Sequence, residues 1–326
     1  MAIIIGGSGS SGSTMLIRKL STHPDIFCGG ETNFFNKEQL FENWNKNKLK
    51  IIPLLPFFST KGWQIYRRSN LCQDEYGWTK KTVKELLKNS NSINEFTQVY
   101  FKRPIDEKNA KIWIEKTPSN AYSFTKFLDQ YPDGKVIHIA RNPLDSAASM
   151  YNKDPRVFYG VATWLYNNAA ALAASKSNRY HLIKYEDLIY DQENTFEKLS
   201  NFIGIDQKGI VFEKKIKEKI IATWDNSPDA KISDSSMGRF KKLPIEIQNE
   251  IYTAFHHFRI SDIHKTTKDI QYDSFDEICL QLGYDASLTP VESLKEKLRK
   301  DLQKDKFNRG IRFYETKGNY YPIELK

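Results

Sequence analysis

Cysteine is scarce. Cys28, Cys72 and Cys279 are widely separated in 326 residues, and an odd, scattered set suits free thiols in a reducing compartment, not a disulfide framework. Long hydrophobic runs are also missing: the longest, Ile51 to Phe58, is broken by Pro53 and Pro56 and falls far short of the ~20 residues of a membrane span. The first apolar run starts at Ala2 with no basic region before it, unlike a secretory leader. These absences predict a cytoplasmic protein with no membrane span. Metal-ligand spacing is absent too, and the His256-His257 doublet falls on a predicted helix, where adjacent side chains diverge by about 100°. No metal is expected, and no internal repeat occurs.

Forty-nine Lys and Arg against 40 Asp and Glu leave a net charge of +9, which favours an anionic ligand. The basic residues are scattered, as at Lys214-Lys215, Lys241-Lys242 and Lys295 to Lys306, and no nucleic-acid motif accompanies them, so nucleic acid is not an expected partner. Hydrophobic residues at 40% and charged ones at 27% describe a globular chain, long enough for one α/β domain with insertions.

The most informative stretch is Ala2 to Glu31. Ala2-Ile3-Ile4-Ile5 has the apolar, β-branched character of a central parallel strand. A turn of Gly6, Gly7, Ser8, Gly9, Ser10, Ser11, Gly12, Ser13 and Thr14 follows, rich in backbone N–H and hydroxyl donors. A helix from about Thr14 then aims its positive end into the turn, which makes an anion cradle for phosphate or sulfate. Three uses compete. A nucleoside-triphosphate loop needs Lys after the last glycine, where Ser13 stands, so an NTP hydrolase is disfavoured. A dinucleotide loop, G-x-G-x-x-G, needs an acidic residue further on, and Glu31 meets that need. A ligand-free turn is the third.

Further along, Ile26 to Cys28 reads as a short strand, after which Gly29-Gly30 turns Glu31 toward the loop or into capping a helix over Thr32 to Phe41. Residues 35 to 109 are aromatic and basic, with Trp44, Trp63, Trp78 and helices near Lys80 to Lys88 and Asn91 to Lys102; they read as an insertion that shapes an acceptor pocket. Ala110 to Ile114 is the next strand, leaving Lys116 just past its carboxyl end, and Pro118 opens a helix to about Gln130. Lys135 to Ala140 is a strong buried strand containing His138, a packed core residue by this reading. Arg141 stands at its tip, and Asn142-Pro143 caps and starts a helix that carries Ser149. Arg141 and Ser149 together suit one phosphate held from two sides. A long helix from Val157 to Ala174, a strand from Tyr180 to Tyr185 and a helix from Asp191 to Ile203 continue a doubly wound α/β pattern. Ser227 to Leu243 reads as a flap over the ligand; Glu246 to Phe258, Ser274 to Leu282 and Val291 to Lys306 read as helices, and the end of the chain as a tail that docks or builds a homo-oligomer.

Taken together, these motifs resemble the sulfotransferases that use 3′-phosphoadenosine 5′-phosphosulfate (PAPS), most closely the tyrosylprotein sulfotransferase-like branch, over Ile3 to about Tyr284. The resemblance implies an α/β, P-loop-like three-layer sandwich with a central parallel sheet and helices on both faces. It implies a sulfotransferase domain over 1–285, with 286–326 as a C-terminal helix and tail. Gly9, Ser10, Ser11, Gly12, Ser13 and Thr14 would cradle the 5′-phosphosulfate, Arg141 and Ser149 would grip the 3′-phosphate, and Tyr185 would add a cofactor contact. Glu31, in a stretch similar to the branch's CGEET, would be the general base, and Lys116 the catalytic lysine. Ser236 would be the late serine near the sulfuryl group, with Ser235 and Gly238 as competing alignments. The family commonly has Lys or Arg where Ser10 stands, which moves leaving-group stabilisation onto Lys116 with Arg18 or Arg239. PAPS would be converted to adenosine 3′,5′-bisphosphate (PAP), the acceptor being a hydroxyl of a sugar, tyrosine peptide, lipid or small metabolite. An NAD(P)-dependent oxidoreductase and a catalytically silent nucleotide-binding module remain open alternatives.

Overall fold

The computed structural model describes residues 1–36, 38–48, 76–212, 236–260, 270–287 and 289–305. The apolar run at 51–58, Trp63, Cys72, Lys214-Lys215, Ser235, most of the 227–243 flap and the tail from 306 lie outside these residues.

Five strands form one parallel sheet: β1 (Ala2–Gly7), β2 (Ile26–Cys28), β3 (Ile112–Lys116), β4 (Lys135–Ala140) and β5 (Tyr180–Lys184), in the order β2-β3-β1-β4-β5. The helices are α1 (Ser13–Leu20), α2 (Glu38–Glu42), α3 (Trp44–Asn47), α4 (Lys80–Asn89), α5 (Ile93–Lys108), α6 (Phe124–Gln130), α7 (Pro143–Tyr151), α8 (Val157–Leu172), α9 (Tyr185–Tyr190), α10 (Gln192–Ile203), α11 (Ile245–His257), α12 (Phe275–Leu282) and α13 (Lys295–Asp305).

Strand alternation divides the core. Ile3, Ile5, Ile114, Ile137, Ile139 and Ile183 face one side and pack on Leu16, Ile17 and Leu20 of α1 and on Phe196, Leu199 and Ile203 of α10. Ile4, Trp113 and Val136 face the other, against an aromatic layer from Phe34, Phe35, Phe96, Tyr100 and Phe101. Phe101 stacks on Trp113 with ring centroids 4.2 Å apart, and Phe41, Trp44, Tyr76 and Trp78 lie in or against the same layer. Beside this layer, α8 packs with α11 and α12 through Trp164, Phe255 and Phe275. The result is the three-layer α/β sandwich. Each fully buried isoleucine contributes on the order of 1.5–3 kcal/mol.

β2 and β4 occupy the residues expected of them. Pro143 opens α7 under an Asn142 cap whose side chain accepts from the Leu144 and Asp145 N–H groups. β3 lies two residues later than its apolar run suggested. Lys111 N–H and Ile112 N–H both turn back to the Asp25 carbonyl, and pairing to β1 runs on to Ile4↔Glu115 and Ile5↔Lys116. Charged residues thus occupy the end of a buried strand. The segment after it starts as a 3-10 turn, Pro118–Ser123, before α6, and Tyr185 begins α9 instead of ending β5.

His138 is a packed core residue as expected. Its Nδ1 accepts the Tyr180 hydroxyl at 2.7 Å and its Nε2 donates to Asn168 Oδ1 at 2.8 Å, which fixes the neutral ring, and burial pushes its pKa down to about 4. The unfolded chain therefore binds the extra proton between about pH 6.5 and 4, and this contribution to stability is lost as pH falls. Urea titrations should show about 2 kcal/mol more loss between pH 7 and pH 5 than in a His138→Phe variant. Equal losses in the two proteins would contradict the buried neutral ring.

Candidate active site at the strand tips

Parallel strands deliver their carboxyl ends to one edge of the sheet, where open α/β folds place ligands. Here that edge carries the Gly/Ser turn after β1, Glu31 after β2, Lys116 at the end of β3, Arg141 after β4 and Tyr185 after β5.

The turn is held from behind. Asn167 Nδ2 donates to the Gly7 carbonyl at 2.7 Å, Ser146 Oγ to the Gly9 carbonyl at 3.1 Å, and Arg141 to the Ser10 carbonyl at 2.9 Å. Ser10 (φ 62°) and Gly12 (φ 88°) are left-handed, and a Cβ at Gly12 would lie 2.3 Å from the Tyr185 ring, so glycine is required there. α1 starts at Ser13 with no acidic residue in its first turn, leaving its N–H groups and dipole aimed into the turn beside Ser13 and Thr14. Ser11 Oγ is buried without a hydrogen-bond partner, and so is Arg141 Nε. A phosphate-bearing ligand fits these orphaned donors.

On one flank, the Lys116 ammonium pairs with the Glu31 carboxylate and lies 3.4 Å from Thr14 Oγ1. Lys116 is almost fully buried, while Glu31 remains partly open to solvent. Residues 31–36 are not helical and the next helix starts at Glu38, which removes the capping role for Glu31. The strand order also argues against a dinucleotide site. β3 separates Glu31's strand from the turn's strand, whereas a dinucleotide fold places them side by side.

Glu115 holds this flank together. It is only 1% exposed, and its Oε1 accepts from Thr32 N–H (2.8 Å), Thr32 Oγ1 (2.9 Å) and Thr117 Oγ1 (2.7 Å). Its Oε2 accepts from Asn120 Nδ2 at 2.5 Å, and the same amide reaches the Ile5 carbonyl. Burial raises its pKa, and the hydrogen bonds from Asn120, Thr117 and Thr32 oppose that shift. One buried carboxylate thus ties the residue after Glu31 to the residue before Lys116.

On the other flank, the Arg141 guanidinium lies 4.8 Å from the Tyr185 ring centroid and 3.8 Å from Asp145 Oδ2, and donates to the Ser236 carbonyl. Burial lowers its pKa, and Asp145 works against that. Arg239 donates to Ser149 Oγ at 2.8 Å and to Ser236 Oγ at 2.9 Å. Asp145 accepts the Gly238 and Phe240 N–H groups, fastening the 236–240 segment over α7. Arg141, Ser149, Tyr185, Ser236, Gly238 and Arg239 therefore gather on this flank, while Arg18 stands in the last turn of α1. Lys153, just past α7, donates to Ser10 Oγ at 3.0 Å.

Glu115, Asp145 and Lys153 are additions to the site read from sequence. A carboxylate directly after the apolar run Ile112 to Ile114 was a usable signal for Glu115; Lys153 carried none. Among the described residues no group of three His, Cys, Asp or Glu could hold a metal ion, and no helix is long and apolar enough to cross a membrane. Cys28 and Cys279 are buried free thiols.

Residues 2–208 match the model of a sulfotransferase family. No curated protein matches the chain. Similar solved structures include the sulfotransferase domain from the Synechococcus PCC 7002 olefin synthase, at 17% identity over 87% of this chain and 94% of that one, with a TM-score of 0.48. The sulfotransferase domain from the curacin biosynthetic pathway is 15% identical over 87% and 97%, with a TM-score of 0.44. The mouse sulfotransferase SULT7A1 complexed with PAP is 15% identical over 77% and 83%, with a TM-score of 0.43.

Replacing Glu115 with Gln turns one acceptor into a donor facing Asn120 or Thr32. Urea unfolding of Glu115→Gln should show a loss of roughly 1–3 kcal/mol, the cost of a mispaired buried group. Unchanged stability would show that the carboxylate does not fasten the two strand ends.

Proposed function

The chain belongs to the sulfotransferase family, and we propose that it moves a sulfuryl group from PAPS to a hydroxyl acceptor, releasing PAP, within a catalytic unit spanning 1–285. The observation that carries this reading is Lys116, whose ammonium reaches both the Glu31 carboxylate and the Thr14 hydroxyl of the anion turn. One cation therefore links a base to the place where a leaving phosphate would sit.

The turn from Gly9 to Thr14 holds the 5′-phosphosulfate through its N–H and hydroxyl groups, with Ser11 Oγ as a buried donor free to take an oxygen. Arg141 and Ser149, joined by Arg239, hold the 3′-phosphate, and Tyr185 borders the same site. This pairing gives selectivity for a 3′-phosphorylated nucleotide over AMP or ATP. Ser236 and Gly238 hold Arg239 and Asp145 in place above α7.

Glu31 takes the acceptor's proton as the acceptor oxygen bonds to sulfur. The bond from sulfur to the 5′-phosphate oxygen breaks, and the electron pair stays on the phosphate. Lys116 moves from Glu31 toward that developing charge, where a preorganised donor is worth roughly 3–4 kcal/mol. The acceptor is a sugar, tyrosine peptide, lipid or small-metabolite hydroxyl entering on the Glu31 side.

Turnover of PAPS by Glu31→Gln should fall by about 10²–10⁴-fold, the contribution of a well-placed base. Calorimetric affinity for PAP should be no weaker than in the unaltered protein. Loss of PAP binding with turnover per bound donor unchanged would remove Glu31 from the base role.

A further inference from the structure

The Gly/Ser turn contains no charged residue: Gly7 through Thr14 are glycine, serine or threonine. Cations are instead brought to it by other elements, and they come to two separate residues. Lys116 approaches Thr14, and Lys153 approaches Ser10, its ammonium donating to Ser10 Oγ at 3.0 Å. The Ser10 carbonyl is taken by Arg141 at 2.9 Å, so two basic side chains from the α7 side meet at one uncharged residue. Arg239 completes the group through Ser149.

Placement of Lys153 follows from the end of α7. The helix stops at Tyr151, and the Lys153 and Asp154 N–H groups both return to the Met150 carbonyl, a tight turn that leaves Lys153 above the Ser10 end of the cradle. The adjacent carboxylate does not compete for it, because Asp154 makes two bonds to the Arg156 guanidinium at 2.7 and 2.5 Å. Asp145 is likewise occupied by the Gly238 and Phe240 N–H groups. Partial desolvation, then Arg239 and Arg141, lower the Lys153 pKa, and Glu31 opposes them. The lysine thus lies within electrostatic reach of both flanks of the site. Like charges gathered around a hydroxyl-lined turn form a receptor for a multiply charged anion.

We propose that Lys153 is a catalytic cation of the turn, binding the donor's 5′-phosphate from the Ser10 side and taking up part of the charge that appears there as the sulfur–oxygen bond breaks. This rests on PAPS being the donor. Lys153 at Ser10 and Lys116 at Thr14 then clamp the leaving phosphate between them: the acceptor oxygen gains the sulfur, the phosphate oxygen keeps the electron pair, and the proton goes to Glu31. A flexible four-carbon stem lets the ammonium pass from Ser10 Oγ to a bound oxygen with little rearrangement.

The test compares the full chain with Lys153→Met and Lys153→Arg, titrated calorimetrically with PAP and with adenosine 3′-phosphate, which lacks the 5′-phosphate. Lys153→Met should weaken PAP by about 10- to 100-fold, the worth of a charge-assisted hydrogen bond, and leave adenosine 3′-phosphate within about twofold. Lys153→Arg should hold PAP at least about tenfold more tightly than Lys153→Met does. At saturating PAPS, slow hydrolysis by Lys153→Met should fall by at least about tenfold. Unchanged PAP binding, equal weakening of both ligands, an Arg variant as weak as Met, or full turnover at saturation would each overturn the assignment. If the unaltered protein binds PAP no better than adenosine 3′-phosphate, the donor reading fails, and this proposal fails with it.

Discussion

The contact on which this site depends is the Lys116 ammonium, buried at a strand tip between the Glu31 carboxylate and the Thr14 hydroxyl. Neither partner is near it in sequence, and β3 must end at the right residue for the contact to exist. The β1–β3 register sets that end by pairing Ile5 with Lys116. A slip of one residue would turn Lys116 to the other face of the sheet. Glu115 faces the opposite way and accepts from Thr32, Thr117 and Asn120, which makes the slip costly. A buried carboxylate and a buried lysine in consecutive positions would be a poor arrangement for stability alone. It becomes economical when one position fastens the chain and the next meets a ligand.

Charge is organised around the same edge. The chain's excess of nine positive charges is spread widely in sequence, yet Lys116, Arg141 and Lys153 converge on a turn that has no charge of its own, and Arg239 stands beside them on Ser149. Their hydrogen bonds to serine and threonine hydroxyls and to backbone carbonyls hold them apart from one another. The start of α1 turns its N–H groups toward the turn, and the Ser11 hydroxyl is buried without a hydrogen-bond partner. Charge at the rim and neutral donors in the centre suit a multiply charged anion without placing a cation inside the tight turn.

Much of this was legible in the sequence, for identifiable reasons. β1 and β4 are β-branched runs buried on both faces, and their period and length leave little choice. The Asn142-Pro143 pair fixes the start of α7, and the Gly/Ser turn fixes where β1 gives way to α1. β3 was displaced by two residues because apolar character ends at Ile114 while the hydrogen-bond ladder continues through Glu115 and Lys116. Tyr185 looked like a strand residue because an aromatic follows an apolar run, but α9 begins with it. What local pattern could not show were contacts across long separations: Thr32 to Glu115 spans 83 residues, and Ser10 to Lys153 spans 143. Such pairs are set by strand order and by where helices end, and a lysine in a surface turn looks the same whether or not it faces a site.

The most direct test of the account is calorimetric titration of the full chain with PAP, beside AMP, ATP and NADH, because it needs no knowledge of the acceptor. PAP should bind best, and AMP, which differs only in lacking the 3′-phosphate, should bind at least about tenfold more weakly. Equal affinity for PAP and AMP, or preference for ATP or NADH, would contradict it.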